Sequence, residues 1–187
     1  TPAMEKGSIQ ADAAQEALLA CEAAQGAGAG YVKLLGEGPD SVPPHLVVDR
    51  GHLSVALGDG RFSALLCGPG LGRDAQARER LAEVIASEIP AVLDADALVL
   101  LAPRLLAERD RPLIATPHEG ELLSLERAFD CEGSGSKPER AAALSRASGM
   151  VVVAKGPDTV IAAPDGRLAC AHRASSSSPR TRTTSAS

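Results

Sequence analysis

Short apolar runs of strand length alternate along this chain with longer stretches in which apolar residues recur every three or four positions, a pattern that predicts strands alternating with amphipathic helices. The strands read at Tyr31–Leu35, Leu46–Val48, Phe62–Cys67, Ala91–Asp94, Leu113–Ala115, Met150–Ala154 and Val160–Ala163, the last returning through a hairpin turn at Pro164-Asp165-Gly166-Arg167. A first helix is expected over residues 11–29, with Leu18, Leu19, Ala23 and Ala24 inward, before Gly26-Ala27-Gly28-Ala29-Gly30 breaks it. Further helices are expected over 74–88, with Asp74 as cap, after Thr116, with Leu122, Leu123, Leu125 and Phe129 on one face, and over 138–147. A leucine-rich segment from Leu98 to Leu106 is interrupted by Pro103. Together these elements predict an α/β fold, a mostly parallel sheet covered by helices on both faces. Ligands of such sheets sit at the carboxyl ends of the strands, and four corners, at Gly68, Asp94, Thr116 and Lys155, follow apolar runs and should open on that edge.

The corner Thr116-Pro117-His118-Glu119-Gly120-Glu121 organises the rest. Thr116 can cap the following helix, Pro117 suits a first turn, and Glu119 can reach back as the capping-box partner. His118 and Glu121 are left over. They stand at a helix N-terminus, where free N–H groups and the dipole favour an anion such as phosphate, and are the functional candidates of this corner.

At the other corners the residues leave alternatives open. Gly68-Pro69-Gly70-Leu71-Gly72 lets a backbone approach a ligand and turn its N–H groups toward an anion, but a tight strand-to-helix turn would use the same glycines. Asp94 could fix a hydroxyl or a hydrated cation, or cap a short helix. Lys155-Gly156-Pro157-Asp158-Thr159 places a cation and a hydroxyl around a glycine, which would meet a nucleotide phosphate; an ordinary Gly-Pro loop with an exposed lysine has the same sequence.

Composition narrows the function classes. With one Tyr and two Phe in 187 residues, the core must be built from Ala, Leu, Val and Ile, and single-strand nucleic-acid binding, which needs aromatic stacking platforms, is disfavoured. The net charge of −5 and the lack of a dense Lys/Arg stripe in the body argue against a nucleic-acid partner. Cys21, Cys67, Cys131 and Cys170 are too widely spaced for a zinc site or a disulfide framework, and no run is long and apolar enough to span a membrane; a cytoplasmic protein is expected.

The order GPGLG, VLDADAL, TPHEGE and VVVAKGPDTVIAAPDGR resembles the ADP- or ATP-dependent NAD(P)H-hydrate dehydratase family, a branch of the ribokinase-like fold, from about Gly26 to Arg167. The resemblance implies repair of nicotinamide cofactors: hydrated NADH or NADPH loses its added hydroxyl as a nucleotide phosphate is hydrolysed, with Mg²⁺ shielding the phosphates. It implies that Gly70 and His118 lie against the hydrated cofactor, that Lys155, Gly156, Pro157, Asp158 and Thr159 line ADP or ATP, and that Glu121 holds metal-bound water. A homo-oligomer is a further expectation. The family's Gly-Thr/Ser-Gly-Asp loop, whose amides cradle phosphate and whose Asp acts on the substrate hydroxyl, has no counterpart, since neither Gly nor Asp occurs after Gly166. The sequence therefore predicts a partial domain over residues 1–169, a disordered Ser/Arg/Thr-rich tail over 170–187 in the manner of a truncation or frameshift, and impaired turnover. A ribokinase-like small-molecule kinase and an inactive nucleotide-binding fragment are the alternatives.

Overall fold

The computed structural model describes residues 2–36, 38, 41–107, 109 and 111–172, with side chains between residues 13 and 171. Six strands form the main sheet: β3 (Leu65–Cys67), β4 (Ala91–Leu93), β5 (Leu113–Ala115), β6 (Val151–Ala154), β7 (Asp158–Ala162) and β8 (Leu168–His172), hydrogen-bonded in that order. The first four run parallel and β6, β7 and β8 pair antiparallel. Ahead of them β1 (Lys33–Leu35) and β2 (Val47–Asp49) make a separate parallel pair.

Parallel neighbours require crossovers, and in the main sheet each crossover carries a helix. Helix α3 (Ala75–Ala86) joins β3 to β4; α4 (Asp96–Leu100) and a 3-10 turn (Pro103–Leu105) join β4 to β5; α5 (Glu119–Ala128) and α6 (Lys137–Ser148) join β5 to β6. The long α1 (Pro2–Gly26) and the short α2 (Leu53–Leu57) precede the sheet. Asp74 caps α3 as the sequence predicts, accepting from the Ala77 N–H at 2.8 Å. Beyond the end of α3, the Arg109 guanidinium donates to the carbonyls of Val84, Ile85, Ser87 and Ile89, so the last carbonyls of that segment are satisfied by a side chain.

The pleat sorts the sheet into two unlike faces. Cys67, Leu93, Ala115, Val152, Ala154, Val160 and Ala162 point into one core with Leu81, Val84 and Ile85 of α3, Leu122 and Leu125 of α5, and Ala141 and Leu144 of α6. The alternate positions, Leu66, Val92, Ile114, Val153 and Ile161, share the other face, where Leu66 is 49% and Ile161 38% exposed. Among the described residues this second face is therefore only partly covered. Periodicity reports that a residue is apolar, not which element buries it.

Three further expectations are corrected. Leu19, read as inward, is 55% exposed, and α1 instead buries Leu18 and Cys21 against Leu46, Val32 and Leu34 in a smaller second cluster. Leu123, assigned to the inner face of α5, is 41% exposed. The tail does not begin at residue 170: Cys170, Ala171 and His172 continue β8, in register with Val160, Thr159 and Asp158. Backbone pairing to β7 stabilises this stretch regardless of how little apolar surface its side chains offer. Residues 173–187 of the expected tail lie outside the described residues.

Candidate functional site

The four predicted corners meet at the carboxyl ends of β3 to β6. The Asp94 N–H donates to the Cys67 carbonyl, the Thr116 N–H to the Leu93 carbonyl, each at 3.0 Å, and the Lys155 N–H to the Pro117 carbonyl at 2.8 Å. Three of the corners thus hang on the residue at or just past the neighbouring strand's end. A side-chain link spans the same edge: the Lys155 ammonium lies 2.6 Å from Asp94 Oδ1. With 41% and 28% of their side chains exposed, this pair faces solvent at the open edge rather than the core.

At the first corner, Gly68 has φ +134, and a Cβ there would fall 1.7 Å from the Asp94 carbonyl oxygen, so only glycine lets the two loops touch. Gly70 has φ +70, and a Cβ on it would stand 2.3 Å from the Ala13 carbonyl of α1. On the side where a Cβ would project, the turn is filled by a helix backbone. The Gly72 N–H and the Arg73 Nε both donate to the Asp96 carboxylate, at 3.1 and 2.7 Å, tying the glycine loop to the second corner.

Asp94 does not cap α4; the capping position falls on Ala95. Its Oδ1 accepts instead from the Ala95 N–H at 2.9 Å as well as from Lys155. Ala95 takes φ 46 and ψ −123, a conformation L-residues rarely adopt, and such outliers persist where surrounding contacts over-determine them.

The third corner is built differently from the sequence expectation. His118, not Thr116, caps α5: its Nδ1 accepts from the Gly120 and Glu121 N–H groups at 3.0 and 3.3 Å. Glu121, not Glu119, closes the box, with its Oε2 accepting from the His118 N–H at 2.8 Å. Histidine lies outside the usual capping set, which is why sequence rules pass over it. With Nδ1 an acceptor, the neutral ring carries its proton on Nε2, 3.5 Å from Glu121 Oε1. Thr116 turns its hydroxyl to the Leu93 carbonyl at 3.2 Å, and Pro117 is fully buried. Glu119 pairs across to Arg140 of α6 at 2.5 Å.

The fourth corner, residues 155–159, turns β6 back into β7. Gly156 has φ +158, and the Thr159 hydroxyl points to the Gly156 carbonyl at 3.4 Å. The sequence reading missed Lys137, whose ammonium donates to the carbonyls of Lys155 and Asp158. It also missed the buried pair between Arg140 and Glu126, which joins α5 to α6 by hydrogen bonds of 2.8 and 2.7 Å. A visible signal was the Ser-x-x-Glu start of α6, where the Ser136 N–H and hydroxyl both donate to Glu139, at 2.7 and 2.8 Å.

Chemically, the edge offers the Lys155 ammonium, the Thr159 hydroxyl, a glycine turn and a histidine with an exposed ring, which suits a phosphorylated ligand. Among the described residues no group of three or more His, Cys, Asp or Glu side chains could enclose a metal ion. Mg²⁺ on a nucleotide commonly keeps several waters and takes only one or two carboxylates, so a protein cage is not required for it. No described helix is long and apolar enough to cross a membrane.

The family described as NAD(P)H-hydrate dehydratase matches residues 10–181. The bifunctional NAD(P)H-hydrate repair enzyme Nnr of Synechocystis sp. is 36% identical over 138 residues, 72% of this chain and 25% of that protein. The ADP-dependent (S)-NAD(P)H-hydrate dehydratase of Bacillus subtilis is 34% identical over 105 residues, 56% of this chain and 37% of that protein. Among solved structures, the ADP/ATP-dependent NAD(P)H-hydrate dehydratase of Bacillus subtilis, co-crystallised with ATP/Mg²⁺ and soaked with CoA, superposes with a TM-score of 0.65 at 26% identity, over 85% of this chain and 61% of that one. A ribokinase-like superfamily protein from Enterococcus faecalis shares the fold with a TM-score of 0.64 at 22% identity, over 88% of this chain and 57% of that one. The chain therefore spans about a quarter to three-fifths of the length of these relatives. A family match over nearly the whole chain, the ribokinase-like sheet and the four corners gathered at one strand edge place this chain in the NAD(P)H-hydrate dehydratase family.

Proposed function

We propose that this chain binds an adenine nucleotide, ADP or ATP, at the Lys155–Thr159 loop and belongs to an enzyme that dehydrates hydrated NADH or NADPH. The observation that carries the reading is the double link of Lys155: its N–H on the Pro117 carbonyl and its ammonium on Asp94, which bring the loop beside the His118 corner. In this reading the Lys155 ammonium and the Thr159 hydroxyl meet nucleotide phosphate, while the main chain through Gly156, Pro157 and Asp158 lines the nucleotide. The exposed His118 ring, with its proton on Nε2, and the Gly70 turn face the hydrated nicotinamide cofactor. Glu121 orients His118 through the capping box and holds metal-bound water. The bound nucleotide supplies the phosphoryl group that makes the substrate hydroxyl a leaving group.

The chain's own contribution is binding and orientation. Residues 167–187 contain neither Gly nor Asp, so the phosphate cradle and the acid–base carboxylate implied by the resemblance are not supplied from there. Binding is therefore the decisive measurement. Titration calorimetry with ADP and with ATP, each with and without Mg²⁺, should show a site in the wild-type protein that Lys155→Met abolishes or weakens at least about ten-fold, the loss of a charge-assisted contact. Absence of nucleotide binding in the folded wild type, or equal binding by Lys155→Met, overturns the reading. Hydrated NADH with ADP should react slowly or not at all in the same preparation.

A further inference from the structure

Lys137 occupies the first turn of α6, and its side chain leaves the helix to cross the mouth of the β6–β7 loop. Its ammonium donates to the Lys155 carbonyl at 2.9 Å and to the Asp158 carbonyl at 2.8 Å. Those two carbonyls bracket Gly156-Pro157, so one cation holds both ends of the turn. The anchor is itself fixed, because Glu139 accepts from both the Ser136 N–H and the Ser136 hydroxyl and so sets the first turn of α6. A Cβ on Gly156 would come 2.7 Å from the Lys137 Nζ; the ammonium occupies the space that a side chain in the loop would need.

Lys155 is consequently tied at three points: its N–H to Pro117, its ammonium to Asp94 and its carbonyl to Lys137. The first two ties lead to neighbouring strand ends. The third leads to a helix on the far side of the loop, and the same ammonium reaches across Gly156-Pro157 to the Asp158 carbonyl.

We infer that Lys137 is a positioning residue for nucleotide binding: through the carbonyls of Lys155 and Asp158 it holds the 155–159 loop in the shape that receives an adenine nucleotide. The inference rests on the nucleotide reading given above. Hydrogen bonds from an ammonium are stronger than those from a neutral donor, and a loop ordered before the ligand arrives does not draw on binding energy to become ordered. Removing the ammonium leaves a glycine-proline turn free to sample other conformations, and the loss falls on ligand affinity.

The test is ADP titration calorimetry on the full chain, comparing wild type, Lys137→Met, Lys137→Arg and Lys155→Met, with the thermal midpoint of each protein measured without ligand. Lys137→Met should bind ADP at least about ten-fold more weakly while its unliganded midpoint stays within a few degrees of wild type, and Lys137→Arg, which keeps a charged donor for the carbonyls, should recover most of the affinity. Should Lys137→Met fail to fold, Lys137→Gln, which keeps a polar but neutral head, takes its place with the same expectation. Wild-type binding that Lys155→Met weakens but Lys137→Met leaves within two-fold overturns this inference and leaves the nucleotide reading standing. A fall in affinity matched by a fall in thermal midpoint, with no recovery in Lys137→Arg, also overturns it, because the residue is then merely structural. No ADP binding by folded wild type overturns both.

Discussion

Arg140 holds together the two helices that carry the site, and its removal should be among the most damaging single changes in the chain. Its guanidinium makes a two-pronged contact with Glu126, Nε to Oε1 at 2.8 Å and Nη2 to Oε2 at 2.7 Å, and its third nitrogen reaches Glu119 at 2.5 Å. Both carboxylates hold the guanidinium proton, pushing the Arg140 pKa further above its already high ordinary value. Glu126 is 1% exposed, so in Arg140→Met its carboxylate stays out of water with no partner. Breaking a buried pair from one side costs about 3–5 kcal/mol, a third or more of the roughly 5–15 kcal/mol that stabilises an ordinary domain. The exposed pair between Arg127 and Glu132, with side chains 69% and 63% accessible, provides the contrast, and Arg127→Met should cost no more than about 1 kcal/mol. Urea denaturation of wild type, both single variants and the double variant Arg140→Met/Glu126→Met gives the comparison. The double variant should recover most of the loss, since apolar replacement of both partners removes the stranded charge. If Arg140→Met lies within about 1 kcal/mol of wild type, or the double variant is as unstable as the single one, the buried-charge argument is wrong.

The glycine loop and the buried thiol allow two further tests. Gly68→Ala should cost about 2–6 kcal/mol in urea denaturation, since positive φ and overlap with the Asp94 carbonyl act together, whereas Gly72→Ala, at φ +80 with nothing within 4 Å, should cost only about 1–2 kcal/mol; equal costs would refute the contact. Burial pushes the Cys67 thiol up from 9.0 to about 11, so the folded chain holds that proton more tightly than the unfolded one. Its stabilising effect is complete below pH 9 and declines as pH rises toward 11, by about 2–3 kcal/mol, and Cys67→Ala should flatten the fall; parallel curves for the two proteins would refute the assignment.

The sequence by itself determined which chemistry stands where along the chain. The apolar run Leu113–Ala115 is β5 as read, Asp74 caps α3 as read, and the corners at Gly68, Asp94, Thr116 and Lys155 share one sheet edge because parallel strands joined by helices all end on the same side. Only the tertiary structure decided how those corners interlock. Capping by His118 and Glu121 depends on the direction in which α5 leaves β5, and the usual capping preferences favour Thr116 and Glu119 at the same spacing. The contacts Lys155 to Asp94, Lys137 to Asp158 and Arg140 to Glu126 join residues 61, 21 and 14 positions apart, beyond the reach of any local periodicity. Strand β8 runs through a stretch whose composition suggests no structure, because backbone pairing is indifferent to side-chain identity in a way that hydrophobic patterning is not. Local sequence sets the character of each corner through sterics and hydrogen-bonding capacity; the packing of helices on the sheet sets the few ångströms between corners, and with them what the edge can bind.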